Sequence, residues 1–144
     1  MYDVLILADL EIGHILATIK MAVNLQKGGF KVCYLTVPDA KKIIEQNNQV
    51  AFSCFEEFYP AGKVSEMRRK YKSSNRYLED PGHLYLSIIS GSLDKIIEEI
   101  NPGIILSSRF VALEALLIHY RHQIPQIIYH TLLFQDNNLF KLRG

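Results

Sequence analysis

One histidine of this chain stands where an imidazole can serve as a base. In Asp9-Leu10-Glu11-Ile12-Gly13-His14 it follows two carboxylates, at the point where an apolar run from Asp3 to Ala8 gives way to a helical pattern. The run reads as a buried strand and Ile15 to Lys27 as a helix, so His14 falls in the first helical turn. There the exposed N–H groups and the positive end of the helix dipole disfavour the imidazolium form. A neutral imidazole at the carboxyl end of a parallel strand is placed to take a proton from a hydroxyl. Gly13 reads as the residue that permits a tight approach into the helix. The plain alternative for His14 is a polar first-turn residue with no reaction to run.

The same stretch excludes several other chemistries. It has one glycine where a dinucleotide fingerprint needs three, and Asp9 and Glu11 would repel a pyrophosphate. The chain has no Gly-Lys-Ser/Thr phosphate loop and no Gly-x-Ser-x-Gly elbow of an α/β-hydrolase. Its 5 histidines have no ligand-like spacing, so no metal site and no metal cofactor are expected.

The elements that must hold His14 follow in order. Tyr2 to Ala8 is apolar without alternation, as in a parallel strand covered on both faces. The helix after it carries Leu16, Ile19 and Val23, with Ile15 and Ala22 widening the stripe, and Gly28-Gly29 stops it. Phe30 to Thr36 is a second strand. Pro38 and Asp39 open a short helix running to about Gln46, and Val50 to Phe55 is a third strand. Glu56 to Gly82 is long, charged and punctuated by Pro60, Gly62, Ser73-Ser74-Asn75 and Pro81. It contains a short helix over Lys63 to Lys72 and reads as a mobile border of the site. From His83 one stripe of Ile89, Leu93, Ile96 and Ile100 predicts a helix up to Asn101-Pro102-Gly103. Ile104 to Ser107 is a fourth strand. Phe110 to Tyr120 is a helix with Leu113, Leu116, Leu117 and Tyr120 inward, and Gln126 to His130 is a fifth strand.

Five alternations of strand and helix predict an α/β fold, a Rossmann-like doubly wound parallel sheet with order 3-2-1-4-5 in three α/β/α layers. That order sets the first and fourth strands side by side. It brings Ser107, Ser108 and Arg109, which end the fourth strand, into one cleft with Ile12, Gly13 and His14.

The chain has 144 residues, the size of one domain, so residues 1–144 are read as a single unit. With 49% hydrophobic residues it has enough apolar side chains for a core, and a net charge of +1 gives no pull toward nucleic acid. Cys33 and Cys54 sit inside apolar runs and read as free buried thiols of a reducing compartment. No apolar run reaches the ~18–20 residues of a membrane span. Met1-Tyr2-Asp3 shows no secretory signal, so a cytoplasmic location is expected.

Several motifs in series resemble a known family. Gly13-His14-Ile15 with its long helix, Gly28-Gly29-Phe30-Lys31-Val32-Cys33-Tyr34-Leu35-Thr36, and Pro38-Asp39 resemble the amino-terminal half of GT-B glycosyltransferases. Among these the nearest group is similar to the glucosyl- and glucuronosyl-transferases that use UDP-sugars. Asn101-Pro102-Gly103-Ile104-Ile105-Leu106 and Ile124-Pro125-Gln126-Ile127-Ile128-Tyr129 resemble the family's fourth and fifth strands. The resemblance runs from about Asp3 to His130.

The resemblance implies that His14 is the general base that deprotonates an acceptor hydroxyl, with Ile12, Gly13 and Arg109 on the acceptor side. In the family an aspartate at the end of the fourth strand supports the histidine. Here Leu106-Ser107-Ser108-Arg109 stands in that place. A serine orients an imidazole but cannot stabilise imidazolium by charge. Asp9, in the same loop cluster, is the candidate substitute. The family's donor site lies in a second α/β domain, and nothing in residues 131–144 resembles it. The implied role is the acceptor-binding half of a nucleotide-sugar-dependent transferase, inactive alone, truncated or split. Such a chain binds no cofactor itself, and the UDP-sugar belongs to the complete enzyme. The implied partners are a small-molecule or lipid acceptor and either a separate carboxyl-terminal half or a second copy. The apolar residues Leu132, Leu133, Phe134, Leu139, Phe140 and Leu142 are expected either to fold back over the sheet edge after the fifth strand or to dock on another chain. The alternative is a non-catalytic Rossmann-like binding or regulatory module. Lys63, Arg68, Arg69, Lys70, Lys72 and Arg76 read as a solvated face or as a peripheral contact with an anionic membrane.

Overall fold

In a computed structural model, residues 1–71 and 82–129 are described. They form a five-stranded sheet, all parallel, in the order β3-β2-β1-β4-β5. The strands are β1 (Tyr2–Leu7), β2 (Val32–Thr36), β3 (Ala51–Ser53), β4 (Pro102–Ser108) and β5 (Gln126–Tyr129). The helices are α1 (Ile12–Lys27), α2 (Pro38–Gln46), α3 (Lys63–Tyr71), α4 (Gly82–Ser90), α5 (Ser92–Ile100) and α6 (Ala112–His122), with a 3-10 turn at Arg109–Val111. The sheet order, parallel pairing and flanking helices agree with the doubly wound reading of the sequence.

The reason for the agreement is local. Leu5, Ile6, Leu7, Cys33, Tyr34, Leu35 and Ile105 are all buried, because β1, β2 and β4 are covered on both faces. Right-handed crossovers place α1 and α2 on one face of the sheet and α5 and α6 on the other. On the α1 face the Tyr34 hydroxyl meets the hydroxyl of Thr18 at 3.0 Å. Asp39, in the first turn of α2, accepts from the backbone N–H groups of Gly62 at 2.6 Å and Ser65 at 3.1 Å, which anchors the start of α3.

Three details differ from the reading of the sequence. The helix expected from His83 to Ile100 is two helices. Gly91 at φ +67° breaks it, in a left-handed conformation that costs glycine little. Ile89, on the far side of that break, is exposed, and the buried set is Leu93, Ile97 and Ile100. The third strand keeps only three residues, and Phe55 leaves it at φ +60°.

The largest difference is the face of α6. Leu113, Leu116 and Tyr120 are exposed, Tyr120 by 77%, while Glu114, Ala115 and Ile118 are buried. Of the expected stripe only Leu117 packs against the core, because polar bonds help set the rotation of this helix. Glu114 faces His83, and Arg121 and His122 both reach Asp94 of α5. A similar shift in α1 leaves Leu16 exposed and buries Ile15, Thr18 and Ala22.

Among the described residues no helix is long and apolar enough to cross a membrane. Cys33 and Cys54 are free and buried. Of the basic segment, Lys63 pairs with Glu66 at 3.6 Å and Arg69 is exposed. The side chains of Arg68 and Lys70, residues Lys72 and Arg76, and the tail from His130 lie outside the described residues.

Candidate active site

The turn after β1 folds back on itself through Asp9. One carboxylate oxygen accepts the Glu11 backbone N–H at 2.9 Å. The other accepts from His14 Nδ1, also at 2.9 Å. His14 is the third residue of α1, which begins at Ile12, so its ring leaves the helix toward the carboxyl edge of the sheet. A third donor comes from a distant part of the chain. Ser108, the last residue of β4, donates its hydroxyl to the same Asp9 oxygen at 2.9 Å. Strand order is what makes this contact, because β1 and β4 are neighbours with Leu7 opposite Ser107.

Asp9 is shut away from solvent and His14 is partly open, with side-chain exposures of 0% and 19%. An ionised carboxylate has no proton to give, so Nδ1 carries the hydrogen and Nε2 carries the lone pair. The Phe110 ring stacks on the imidazole, 4.9 Å between centroids and 14° from parallel. The Arg109 guanidinium lies 4.9 Å from the centre of the Phe110 ring. Base, aromatic wall and exposed cation therefore share one edge of the sheet. The arrangement can hold a neutral histidine, accept a proton at Nε2, and stabilise the resulting imidazolium with a buried carboxylate.

The residues expected here from sequence do not all converge. His14, Asp9 and Ser108 form one hydrogen-bonded unit, and Arg109 stands at its rim through Phe110. Ser107 does not join. Strand alternation turns it to the opposite face from Ser108, where its hydroxyl is buried and meets no hydrogen-bond partner among the described residues. Gly13 is not needed for close packing, since a Cβ built there meets nothing within 4 Å. Ile12 is exposed at the helix start.

Two neighbours carry no sequence signal. Tyr129 pairs in register with Ser108 and shares its face of the sheet. Burial, and then the Asp9 carboxylate, push its phenol well above the ordinary value. His83 meets Glu114 at 2.7 Å inside the protein, with Phe55 edge-on at 4.8 Å. Neither was singled out from sequence as a site residue, and each reaches the site only through tertiary packing. Among the described residues no group of three or more His, Cys, Asp or Glu side chains is placed to hold a metal ion.

This fold recurs in solved structures of one enzyme class. The spinosyn rhamnosyltransferase SpnG complexed with thymidine diphosphate superposes with a TM-score of 0.62 at 13% identity, covering 98% of this chain and 38% of that one. The calicheamicin glycosyltransferase CalG4 gives 0.61 at 14% identity, over 99% of this chain and 34% of that one. The glycosyltransferase SnogD from Streptomyces nogalater gives 0.60 at 16% identity, over 90% and 34%. The fold matches the Rossmann-like domain of GT-B glycosyltransferases. This chain spans about a third of the length of each of these structures. No protein-family model matches it, and no curated protein matches it in sequence.

Proposed function

We propose that this chain is the acceptor-binding half of a nucleotide-sugar-dependent glycosyltransferase. The observation that carries the reading is the Asp9–His14 pair at the carboxyl edge of this sheet, with Nδ1 committed to the carboxylate, which leaves Nε2 for the proton of a substrate. In the proposed reaction His14 Nε2 takes the proton of an acceptor hydroxyl. The hydroxyl oxygen attacks the anomeric carbon of the donor sugar, and the nucleoside diphosphate leaves with the electron pair of the broken bond. Asp9 balances the imidazolium, and Ser108 and the Glu11 N–H keep the carboxylate aimed. Arg109 and Phe110 form the acceptor side. In this reading Asp9 stands in for the aspartate that the family carries at the end of its fourth strand.

The donor, a UDP-sugar in this reading, is a substrate held by a second domain. The chain alone is therefore expected to show no turnover. The acceptor is a small molecule or lipid bearing a hydroxyl, and a second half docks on this one. The test supplies a GT-B donor domain, fused or in trans, and measures hexose transfer to a hydroxylated acceptor panel by mass spectrometry. Transfer that appears with the donor half and disappears in His14→Ala supports the proposal. Transfer by the isolated chain, or transfer indifferent to His14→Ala, overturns it.

A further inference from the structure

Arg109 is exposed at the start of the 3-10 turn that follows β4. Among the described residues its guanidinium makes no ion pair and no hydrogen bond, and it lies against the ring of Phe110. The acidic side chains of this edge are committed elsewhere. Asp9 accepts from His14, Ser108 and the Glu11 N–H, and Glu114, in the first turn of α6, is turned inward to His83. The rim of the site therefore holds a positive charge that the protein itself does not neutralise.

The stack on Phe110 makes that charge useful. A guanidinium resting on a ring is held in place while its N–H edge stays free for a planar anion, which a flexible ammonium does not match. Phe110 is itself tied down twice. Its backbone N–H donates to the Ser108 hydroxyl at 3.3 Å, and its ring stacks on the imidazole of His14. Guanidinium and imidazole are thus mounted on one ring. Each lies 4.9 Å from its centre, so at most twice that distance separates them. A compound that carries a hydroxyl and an anionic group on one ring can reach both.

We propose that Arg109, mounted on Phe110, is an anion subsite, and that the acceptor carries a carboxylate or phosphate within one ring's length of the hydroxyl that is glycosylated. The proposal rests on the acceptor-binding reading and narrows it to acidic acceptors. The source of the anion is the acceptor and not the donor's diphosphate. In a direct displacement the attacking hydroxyl and the leaving group lie on opposite sides of the anomeric carbon. The diphosphate leaves on the side away from the base, whereas Arg109 belongs to the wall that carries the base.

The test uses the full chain at low salt and four probes: 4-hydroxyphenylacetate, 4-hydroxybenzylphosphonate as a stable phosphate mimic, the neutral 4-hydroxyphenylacetamide, and uridine diphosphate. Binding is followed by NMR, through the Arg109 Nε–H signal, assigned by its loss in Arg109→Gln, and the ring signals of His14. At least one acid is expected to move both sets and to bind about fivefold more tightly than the amide, the upper range for an exposed charge pair. The tighter of the two acids names the anion. The preference is expected to vanish in Arg109→Gln and to shrink at high salt. Arg109→Lys, which keeps the charge and loses the fork, is expected to retain part of it. Equal affinity for acids and amide, a preference that persists in Arg109→Gln, or no binding of any probe up to its solubility limit overturns the proposal. So does tighter binding of uridine diphosphate than of both acids at the Arg109 signal, which would assign the anion to the donor. The transfer reading fails separately, on transfer that is indifferent to His14→Ala.

Discussion

Ser108 and Asp9, 99 residues apart, meet at 2.9 Å. The carboxylate that orients His14 is therefore itself held by the neighbouring strand. Order in the dyad depends on the β1–β4 pairing and not only on the local turn.

This makes two substitutions unequal. Asp9→Asn removes the charge and can present the wrong hydrogen-bonding partner to Nδ1, freeing the other tautomer. Transfer by the reconstituted enzyme is expected to fall by about 10²–10⁴. Ser108→Ala removes one of three donors to the carboxylate and is expected to cost about 1 kcal/mol, tenfold at most. Measurement of kcat for both, with circular dichroism to confirm folding, checks the ranking. Equal losses would contradict it.

The rotation of α6 is testable by stability. Ile118→Ala opens a cavity in the core and is expected to cost about 2–5 kcal/mol. Leu116→Ala removes a side chain that is 52% exposed and is expected to change stability by less than about 0.5 kcal/mol. Urea unfolding of the two variants decides it, and the reverse order would restore the stripe counted from sequence.

Alkaline pH should weaken the fold. Burial pushes the Cys33 thiol from an ordinary 9.0 to about 12, and the Tyr34 phenol from 10.0 to about 12. Both groups stay protonated in the native state while the unfolded chain releases their protons. Their contribution is complete below pH 9 and is lost as pH rises from 9 through about 12. Chemical denaturation between pH 8 and 11 is expected to show falling stability, less steep in Cys33→Ala. Under native conditions near neutral pH, neither Cys33 nor Cys54 is expected to react with a thiol reagent until the chain unfolds.

Acid acts through Asp94. Burial raises its carboxyl, but hydrogen bonds from Arg121 and His122 outweigh burial and hold it below its ordinary value. Its contribution is full above the unfolded carboxylate value of ~3.9 and is lost as pH falls through the lowered one. Asp94→Asn is expected to lower stability at pH 7 by about 1 kcal/mol. The difference from wild type should narrow as pH falls through that lowered value. A gap that persists at the lowest pH would show that the carboxylate's charge is not what matters.

Much of the architecture was legible in residue order. Tyr2–Leu7, Val32–Thr36 and Ile104–Ser107 are apolar without alternation, which is the pattern of strands covered on both sides, and five such units admit few topologies. Asn101-Pro102-Gly103 marked the end of α5 because Asn101 sits at φ +46° with proline behind it. Side-chain periodicity served less well. Leu116 and Tyr120 look like a core stripe and are solvent-facing, while Glu114 looks like surface and is buried. Hydrophobic counting assumes that apolar contact alone rotates a helix. Here the His83–Glu114 hydrogen bond and the Asp94 clamp on Arg121 and His122 add directional bonds that counting does not see.

The site divides along the same line. The sequence by itself determined that His14 would open a helix at the carboxyl edge of a parallel strand, because a strand, a short turn and a helix in that order leave few other places for it. It also determined that Asp9 would lie in the same turn, five residues away. Only tertiary structure decided that Asp9, rather than any residue of the fourth strand, would hold the imidazole. The same packing chose Ser108 over Ser107 to hold Asp9, and it placed Tyr129, His83 and Glu114 around them. Those choices depend on strand register and on which side of a pleat each residue occupies. A shift of one residue turns a side chain to the opposite face of the sheet, and no local pattern in Leu106-Ser107-Ser108-Arg109 records which of the two serines faces the base.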